Sequence, residues 1–211
     1  MIVLLGASGY VGSAFVTALQ QRQWDFTPLS RQKIDYTRFD VLLAYLQRVR
    51  PSFLINAAGY TGVPNVDACE SARAETLFGN TLFPQTVAQA CLVAGVPWGH
   101  VSSGCIYAGA KIAAGSTVRI EKDLTRPEAA KVVRHHPGSI LGYTETDEPN
   151  FSFRSPPTSF YSATKALAEE AIAVVSVARI CGACGFHSTS STTRGITSLR
   201  SSSATPGSTT M

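Results

Sequence analysis

The segment Ile2-Val3-Leu4-Leu5-Gly6-Ala7-Ser8-Gly9-Tyr10-Val11-Gly12 joins a short apolar run to an amphipathic stretch. Four apolar residues that end at a glycine are typical of a buried strand, and Phe15, Ala18 and Leu19 continue one face of a helix. The three glycines permit a tight turn, close approach of a phosphate and close packing of the helix on the strand. The segment therefore predicts a strand, a phosphate-binding loop and a helix, although a glycine-rich turn without a ligand is the alternative.

Strands and helices alternate outward from this segment. Such alternation predicts a parallel sheet covered by helices on both faces, and right-handed crossovers make the sheet doubly wound. The predicted fold class is therefore α/β with a Rossmann-like sheet. Residues 109–157 read as loop-rich apart from one helix. The predicted strands are Ile2–Leu5, Phe26–Leu29, Ser52–Ala58 and a strand within Val96–Tyr107, and the predicted helices are Tyr10–Gln23, Thr37–Val49, Glu70–Ala94 with a break at Pro84, Arg126–Arg134 and Ser159–Val175.

Composition excludes several classes of protein. The chain has 211 residues, of which 45% are hydrophobic and 15% charged, so it can bury a core and is too apolar for a disordered chain. It has no apolar run of about 18 residues, which predicts no membrane span. Its start resembles no signal peptide and its five cysteines are scattered, so we expect a cytoplasmic protein with reduced thiols.

The C-terminal region differs from the rest of the chain. No Asp or Glu follows Glu170, and 15 of the 25 residues from His187 onward are Ser or Thr. Such a composition cannot offset the entropy of ordering the chain, so we expect 187–211 to be disordered. The sequence predicts a cofactor-binding domain at 1–178 and an aberrant Ser/Thr-rich tail at 179–211.

Tyr161 and Lys165 form a Tyr-x-x-x-Lys motif on a predicted helix. The spacing places both side chains on one face, where an ammonium lowers the phenol pKa and lets the tyrosine protonate a carbonyl oxygen during hydride transfer. Ser103, at the end of the fourth strand, can hydrogen-bond that carbonyl. The alternative is two surface residues on a helix.

The G-x-x-G-x-x-G spacing, together with this motif, resembles the extended short-chain dehydrogenase/reductase superfamily. The resemblance implies that an acidic residue after the second strand binds a free ribose and a basic residue binds a 2′-phosphate. Ser30 and Arg31 stand there, which favours NADP(H) over NAD(H), unless Arg31 is only a solvated loop residue. The expected cofactor contacts are Gly6, Ser8, Gly9, Tyr10, Val11, Gly12, Ser30, Arg31, Asp35, Asn56, Ala57, Ala58, Gly59, Asn80, Tyr161 and Lys165.

Residues 56–70, which read NAAGYTGVPNVDACE, narrow the resemblance. With 102–107, 148–151 and 159–162 they resemble the dTDP-4-dehydrorhamnose reductase family and its bifunctional 3,5-epimerase/4-reductase branch. The resemblance covers about residues 1–175. It implies NAD(P)H-dependent reduction of the C4 ketone of a nucleotide-linked 4-keto-6-deoxyhexose by Ser103, Tyr161 and Lys165. It also implies that the C-terminal substrate domain of the family is missing from this sequence.

Cys105 adds a second possible activity. In epimerizing relatives a cysteine in this Cys-Ile-Tyr context moves a proton at a carbon beside the ketone. That chemistry needs an acid/base group of matched pKa on each face of the sugar. The alternative is a small buried cysteine at a strand end, and no counterpart of the relatives' second proton-transfer residue is present.

Our hypothesis for the tail is that the reading frame is lost somewhere after Ala173. When the third base of each tail codon is joined to the first two of the next, permitted codons over 183–198 spell L-R-I-P-F-D-E-F-D-x-P-R-N-Y-L. That string resembles the next strand and loop of the family. A natural Ser/Thr tail is the alternative.

The remaining expectations concern partners. The partner expected is the nucleotide-sugar substrate, with neither nucleic acid nor membrane bound, no metal site, and a homodimer as one possibility. Cys181 and Cys184 form a single C-x-x-C without a second pair, which argues against zinc. The rival to a reductase is a non-catalytic nucleotide-binding or regulatory protein of the same fold, or an inactive truncated fragment.

Overall fold

The computed structural model describes residues 1–144, 147–154, 159–175, 180–181 and 186–188. Within these ranges the secondary structure follows the alternation that the sequence predicts up to residue 101. In chain order the elements are β1 (Ile2–Leu5), α1 (Tyr10–Gln21), β2 (Phe26–Leu29), α2 (Phe39–Val49), β3 (Phe53–Asn56), α3 (Arg73–Leu77), α4 (Phe83–Ala94), β4 (Trp98–Val101), β5 (Ala110–Ala114), β6 (Thr117–Glu121), α5 (Pro127–His135), β7 (Ile140–Leu141), α6 (Phe160–Val175), β8 (Ile180–Cys181) and β9 (Phe186–Ser188).

The main sheet has the strand order β2-β1-β3-β4-β9-β8. The first four strands are parallel, and the last residue of β1, Leu5, pairs with Leu29 on one side and Asn56 on the other. This register brings the carboxyl ends of β1, β2 and β3 to one edge of the sheet, where ligands of doubly wound folds bind. The predicted Rossmann-like sheet is confirmed.

Alternate residues of β1 face the two sides of the sheet. Val3 and Leu5 join the larger core, which includes Leu46 of α2 and Val87 of α4, whereas Leu4 packs with Leu19 of α1 on the other side. Strands buried on both faces read as continuous apolar runs, which explains the sequence Ile-Val-Leu-Leu.

The long helical stretch predicted at 70–94 is divided. A 3₁₀ turn at Val66–Glu70 precedes α3, a π-helical segment at Phe78–Leu82 follows it, and α4 begins at Phe83. Pro84 stands in the first turn of α4, where its missing N–H costs no hydrogen bond, so the predicted break is confirmed.

The expectation that 109–157 is mostly loop is wrong in part. Helix α5 is present as predicted, but β5 pairs with both β6 and β7 in a separate antiparallel sheet. Val118 and Ile120 of β6 are exposed, and the buried residues of β5 are Ala110 and Ile112, so the buried face of this sheet is too short to be recognised from sequence.

Two residues of the segment expected to be disordered lie in β9. His187 and Ser188 pair with His100 and Gly99 of β4 in antiparallel register, so β9 covers that edge of the sheet. Ile180, Cys181 and Phe186 of the predicted tail also lie in β8 and β9, whereas its other residues and the proposed boundary after residue 178 lie outside the described residues. No described helix is long and apolar enough to cross a membrane.

Candidate active site

The loop between β1 and α1 has the shape of an anion cradle. Gly6 has a φ of +78°, and a Cβ added there would lie 2.5 Å from the amide nitrogen of Ala58. A Cβ on Gly12 would lie 1.9 Å from the carbonyl oxygen of Gly6. Both glycines are therefore required by the packing of the helix on the strand ends, whereas a Cβ on Gly9 would make an ordinary contact at 3.4 Å.

The amino end of α1 is open toward solvent. Ser8, Gly9, Tyr10 and Val11 are exposed, and no described side chain caps the helix at Gly9. Backbone N–H groups and the helix dipole at such an end attract phosphate. The open cradle at this end of α1 thus fits the pyrophosphate of a dinucleotide.

The next loop toward the β2 edge contains Ser30, Arg31 and Asp35. Arg31 is exposed, as a residue that meets a ribose phosphate would be. Asp35 accepts hydrogen bonds from the Thr37 hydroxyl at 2.5 Å and from its amide at 3.2 Å, and the hydroxyl bond is the main reason that the Asp35 pKa is lowered. Asp35 therefore shapes its own loop.

Tyr36 is a residue that the sequence reasoning missed. It is buried in the larger core, with its ring 5.7 Å from that of Phe83. Burial raises its pKa, and the Arg31 charge is the main opposing effect. Tyr36 thus ties the second loop to the start of α4, a contact that no local sequence pattern signals.

The strand ends form the floor of the site. Asn56 is fully buried, its Oδ1 accepts from the Ala58 amide at 3.0 Å, and its Nδ2 donates to His100 Nδ1 at 3.1 Å. The small side chain of Ala57 and the bare Gly59 leave space above this floor. A Cβ on Gly59 would lie 3.3 Å from Lys165 Nζ, so the tip of β3 reaches the Tyr-x-x-x-Lys helix.

Asn80 lies behind this floor. Its Oδ1 accepts from the Tyr60 amide at 2.9 Å and its Nδ2 donates to the Tyr60 carbonyl at 2.8 Å. Both ends of the fully buried amide therefore hold the backbone that follows Gly59. The residue belongs to the π-helical segment, a distortion that is frequent at functional sites.

Ser103, Tyr161 and Lys165 come together as the sequence predicts. Ser103 follows β4, its Oγ accepts a hydrogen bond from the Cys105 amide, and its side chain lines the same cavity as Tyr161. Lys165 is buried one turn further along α6, with its Nζ 5.9 Å from the centre of the Tyr161 ring. The three side chains thus meet between the carboxyl end of β4 and the start of α6.

The pKa of Tyr161 differs from the sequence expectation. Burial raises it, and the hydrogen bond from Ser103 only partly opposes that rise. The expected lowering by Lys165 is absent because the ammonium lies over the ring instead of beside the hydroxyl. Burial also lowers the Lys165 pKa to about 8, against the opposing effect of the Glu169 carboxylate.

A cavity of about 440 Å³ opens beside these residues. One wall is the loop after β3, and the opposite wall is the start of α6. Cys105 is exposed and lines the cavity next to Ser103 and Tyr161, so the alternative of a buried cysteine is wrong. The lining residues are Thr61, Gly62, Pro64, Asn65, Val66, Ser103, Cys105, Ser159, Tyr161 and Ser162.

This arrangement can bind and protonate a carbonyl oxygen. Two hydroxyl groups, those of Ser103 and Tyr161, converge at the cavity, and both can donate a hydrogen bond to one oxygen atom. Among the described residues no group of three or more His, Cys, Asp and Glu side chains could hold a metal ion.

Comparison with known proteins shows the family to which the chain is similar. The family model described as RmlD substrate binding domain matches residues 1–181. A bifunctional dTDP-4-dehydrorhamnose 3,5-epimerase/dTDP-4-dehydrorhamnose reductase of Arabidopsis thaliana is 32% identical over 168 residues, which are 80% of this chain and 46% of the relative.

Two further matches agree with it. A trifunctional UDP-glucose 4,6-dehydratase/UDP-4-keto-6-deoxy-D-glucose 3,5-epimerase/UDP-4-keto-L-rhamnose-reductase of Arabidopsis thaliana is 37% identical over 129 residues, 61% of this chain and 15% of the relative. The crystal structure of a Bacillus anthracis dTDP-4-dehydrorhamnose reductase with NADP has the same fold, with a TM-score of 0.57 and 22% identity over 82% of this chain and 49% of that one. The chain thus spans half or less of these proteins.

Proposed function

Because the chain belongs to the RmlD substrate binding domain family, we propose that it reduces the C4 ketone of a nucleotide-linked 4-keto-6-deoxyhexose with NADP(H). The observation that carries this proposal is that Ser103 and Tyr161 line the same cavity, with the buried Lys165 Nζ 5.9 Å from the centre of the Tyr161 ring. The named activities of the relatives give the substrate class.

Ser103, Tyr161 and Lys165 have different roles in such a reduction. The Ser103 hydroxyl holds the ketone oxygen, and Tyr161 gives that oxygen its phenolic proton as the carbonyl becomes an alcohol. Lys165, as an ammonium, would hold the ribose hydroxyls of the dinucleotide. The nicotinamide, when bound, supplies the hydride. Apolar burial around Tyr161 and Lys165 strengthens these electrostatic interactions because water is excluded.

Residues of the first two loops would hold the dinucleotide. Gly6 and Gly12 let α1 pack closely on the strand ends, the exposed Gly9 would leave room for the pyrophosphate, and the N–H groups at Tyr10 and Val11 would bind its oxygens. Ser30 and Arg31 follow β2, where a guanidinium can pair with a 2′-phosphate. No acidic side chain stands directly after β2 to bind a free ribose, which favours NADP(H) over NAD(H).

The direct test is the loss of NADPH absorbance with purified chain and a 4-keto-6-deoxy sugar carried on dTDP or UDP. We expect oxidation of NADPH with at least one of the two substrates and none without sugar. Unchanged absorbance with both would contradict the proposal. If NADPH raises the melting temperature of the protein but is not oxidised, the result would favour the non-catalytic, nucleotide-binding alternative.

Epimerization is a second candidate because Cys105 is exposed in the same cavity. The thiolate form of Cys105 can take a proton from the carbon next to the ketone, and inversion requires that a second acid, such as water, give a proton to the opposite face of the sugar. In D₂O, the parent chain should then introduce deuterium into the substrate, and C105A should not. C105A should still oxidise NADPH when the substrate already has the final sugar stereochemistry.

A further inference from the structure

Glu169 is a buried carboxylate that the proposed reduction does not use. It lies on α6 one turn after Lys165, and only 4% of its surface is exposed. Residues four apart share a helix face, so the carboxylate and the Lys165 ammonium lie on the same side of α6. Burying a charge is costly unless it is paired, so a carboxylate buried at this position is expected to have a partner.

Ser102 connects Glu169 to the other half of the site. The Ser102 hydroxyl donates a hydrogen bond to Glu169 Oε1, and both side chains are buried. Ser102 directly precedes Ser103 at the carboxyl end of β4. The hydrogen bond therefore joins the strand end that positions Ser103 to the helix that positions Tyr161.

Glu169 also provides the main counter-charge for Lys165. Burial lowers the Lys165 pKa to about 8, and Glu169 is the strongest of the groups that raise it, ahead of Cys105. The other titratable side chains around this region are Tyr161 on the same helix and His100, which is buried on β4 two residues before Ser102.

We propose that Glu169 is a positioning residue that keeps Lys165 protonated in the buried site and, through Ser102, holds the end of β4 against α6. This inference rests on the proposed reduction, in which Lys165 acts as an ammonium. Glu169 itself touches neither the ketone nor its proton donor in this arrangement.

The test compares E169Q with E170Q in the full chain. Both changes remove one negative charge from α6, but Glu170 is exposed whereas Glu169 is buried. The Lys165 pKa is measured by NMR of ¹³C-labelled lysine, with K165R assigning the signal. In E169Q we expect this pKa to fall by about one pH unit because the counter-charge is lost, and in E170Q we expect no change.

Turnover supplies an independent measurement. Because a lower pKa means that the ammonium is lost at lower pH, the alkaline limb of the kcat profile should move toward acid pH in E169Q and stay in place in E170Q. At pH 8 we expect kcat of E169Q to fall about fivefold, in proportion to the ammonium fraction. An E169Q chain that matches E170Q in both the Lys165 pKa and the pH profile overturns the inference.

S102A tests whether the hydrogen bond between Ser102 and Glu169 holds the end of β4 against α6. It also replaces E169Q as the test variant if E169Q does not fold. We expect its kcat to fall about fivefold, with an unchanged KM, because Ser103 and Tyr161 lose their fixed separation. An unchanged kcat in S102A, or a fall in melting temperature without a fall in kcat, rejects the positioning role. If the parent chain reduces neither sugar, the NMR titration still decides the effect of Glu169 on Lys165, so the two proposals fail separately.

Discussion

The buried ammonium of Lys165 and the hydroxyl pair of Ser103 and Tyr161 define the site at the residue scale. Lys165 is 5% exposed, and its pKa is lowered to about 8. The Tyr161 pKa is raised, so the phenol is protonated at neutral pH in the absence of other groups. The tyrosine is thus held as a proton donor, which is the form that carbonyl reduction needs.

Removing the Tyr161 hydroxyl should abolish reduction while leaving the cofactor bound. We expect Y161F to lower kcat by about 100-fold or more because general acid catalysis contributes a factor of about 10² to 10⁴. The dissociation constant for NADPH, measured by fluorescence, should change little. The matched control is Y45F, which removes a half-buried phenol from α2; comparable losses in both variants would argue against a role in proton transfer.

Arg31 should decide between the two nicotinamide dinucleotides. In R31A we expect the dissociation constant for NADPH to rise about tenfold, since a lost charge-assisted contact of about 1.4 kcal/mol has that effect, and the constant for NADH to stay unchanged. Isothermal titration with both dinucleotides measures this. The control R22A removes an arginine charge at the carboxyl end of α1, away from the phosphate loop, and should change the dissociation constant of neither dinucleotide. If R31A weakens NADH binding as much as NADPH binding, Arg31 does not recognise the 2′-phosphate.

At the scale of elements, the joint between β1 and α1 depends on backbone packing. Gly12 is buried in the first turns of α1, where the Gly6 backbone occupies the space that any side chain would need. The same helix covers Leu4 and Ile55 through Leu19. A change at this joint therefore affects both the phosphate cradle and one face of the core.

G12A should destabilise the fold. Its Cβ would lie 1.9 Å from the Gly6 oxygen and 2.9 Å from the Ala7 Cα, and these backbone atoms cannot move aside cheaply. We expect the free energy of unfolding in urea to fall by about 3 kcal/mol, the upper part of the range for overpacking. G9A, whose Cβ makes an ordinary contact at 3.4 Å, should lose at most about 1 kcal/mol. Equal stability of the two variants would refute this account of the joint.

At the scale of the whole molecule, charge and stability are unevenly distributed. The chain has a net charge of +4, and three of its arginines lie after residue 178 without any acidic residue beside them in sequence. The rest of the chain is nearly neutral. We therefore expect the proposed cofactor to depend on the local cradle and not on a basic surface.

Cofactor binding should stabilise the whole described fold, because the cradle exists only when β1, α1 and the β3 tip are assembled. NADPH at 100 times its dissociation constant should raise the free energy of unfolding by about 2.7 kcal/mol. Urea unfolding with and without NADPH measures the difference. In R31A the same NADPH concentration should stabilise less, and an unchanged unfolding midpoint in the parent chain would contradict cofactor binding.

Short-range patterns let the sequence determine the phosphate loop, the alternation of strands and helices and the Tyr161–Lys165 pair. In each case the physical constraint acts within about one helical turn or one strand: glycine spacing, apolar periodicity and the four-residue repeat of a helix. The sequence also predicts the break at Pro84, because proline is restricted by its own ring. Cofactor contacts assigned by resemblance, such as Asp35, stay predictions.

Only the tertiary structure decided which distant groups meet. Ser102 and Glu169 are hydrogen-bonded across 67 positions of the chain, and the Tyr36 ring packs 5.7 Å from that of Phe83, 47 positions later. The small antiparallel sheet at 110–141 and the pairing of β9 with β4 also escaped the sequence reasoning. The physical reason is that these contacts depend on the register of parallel strands and on helix packing over the sheet, which no local pattern encodes.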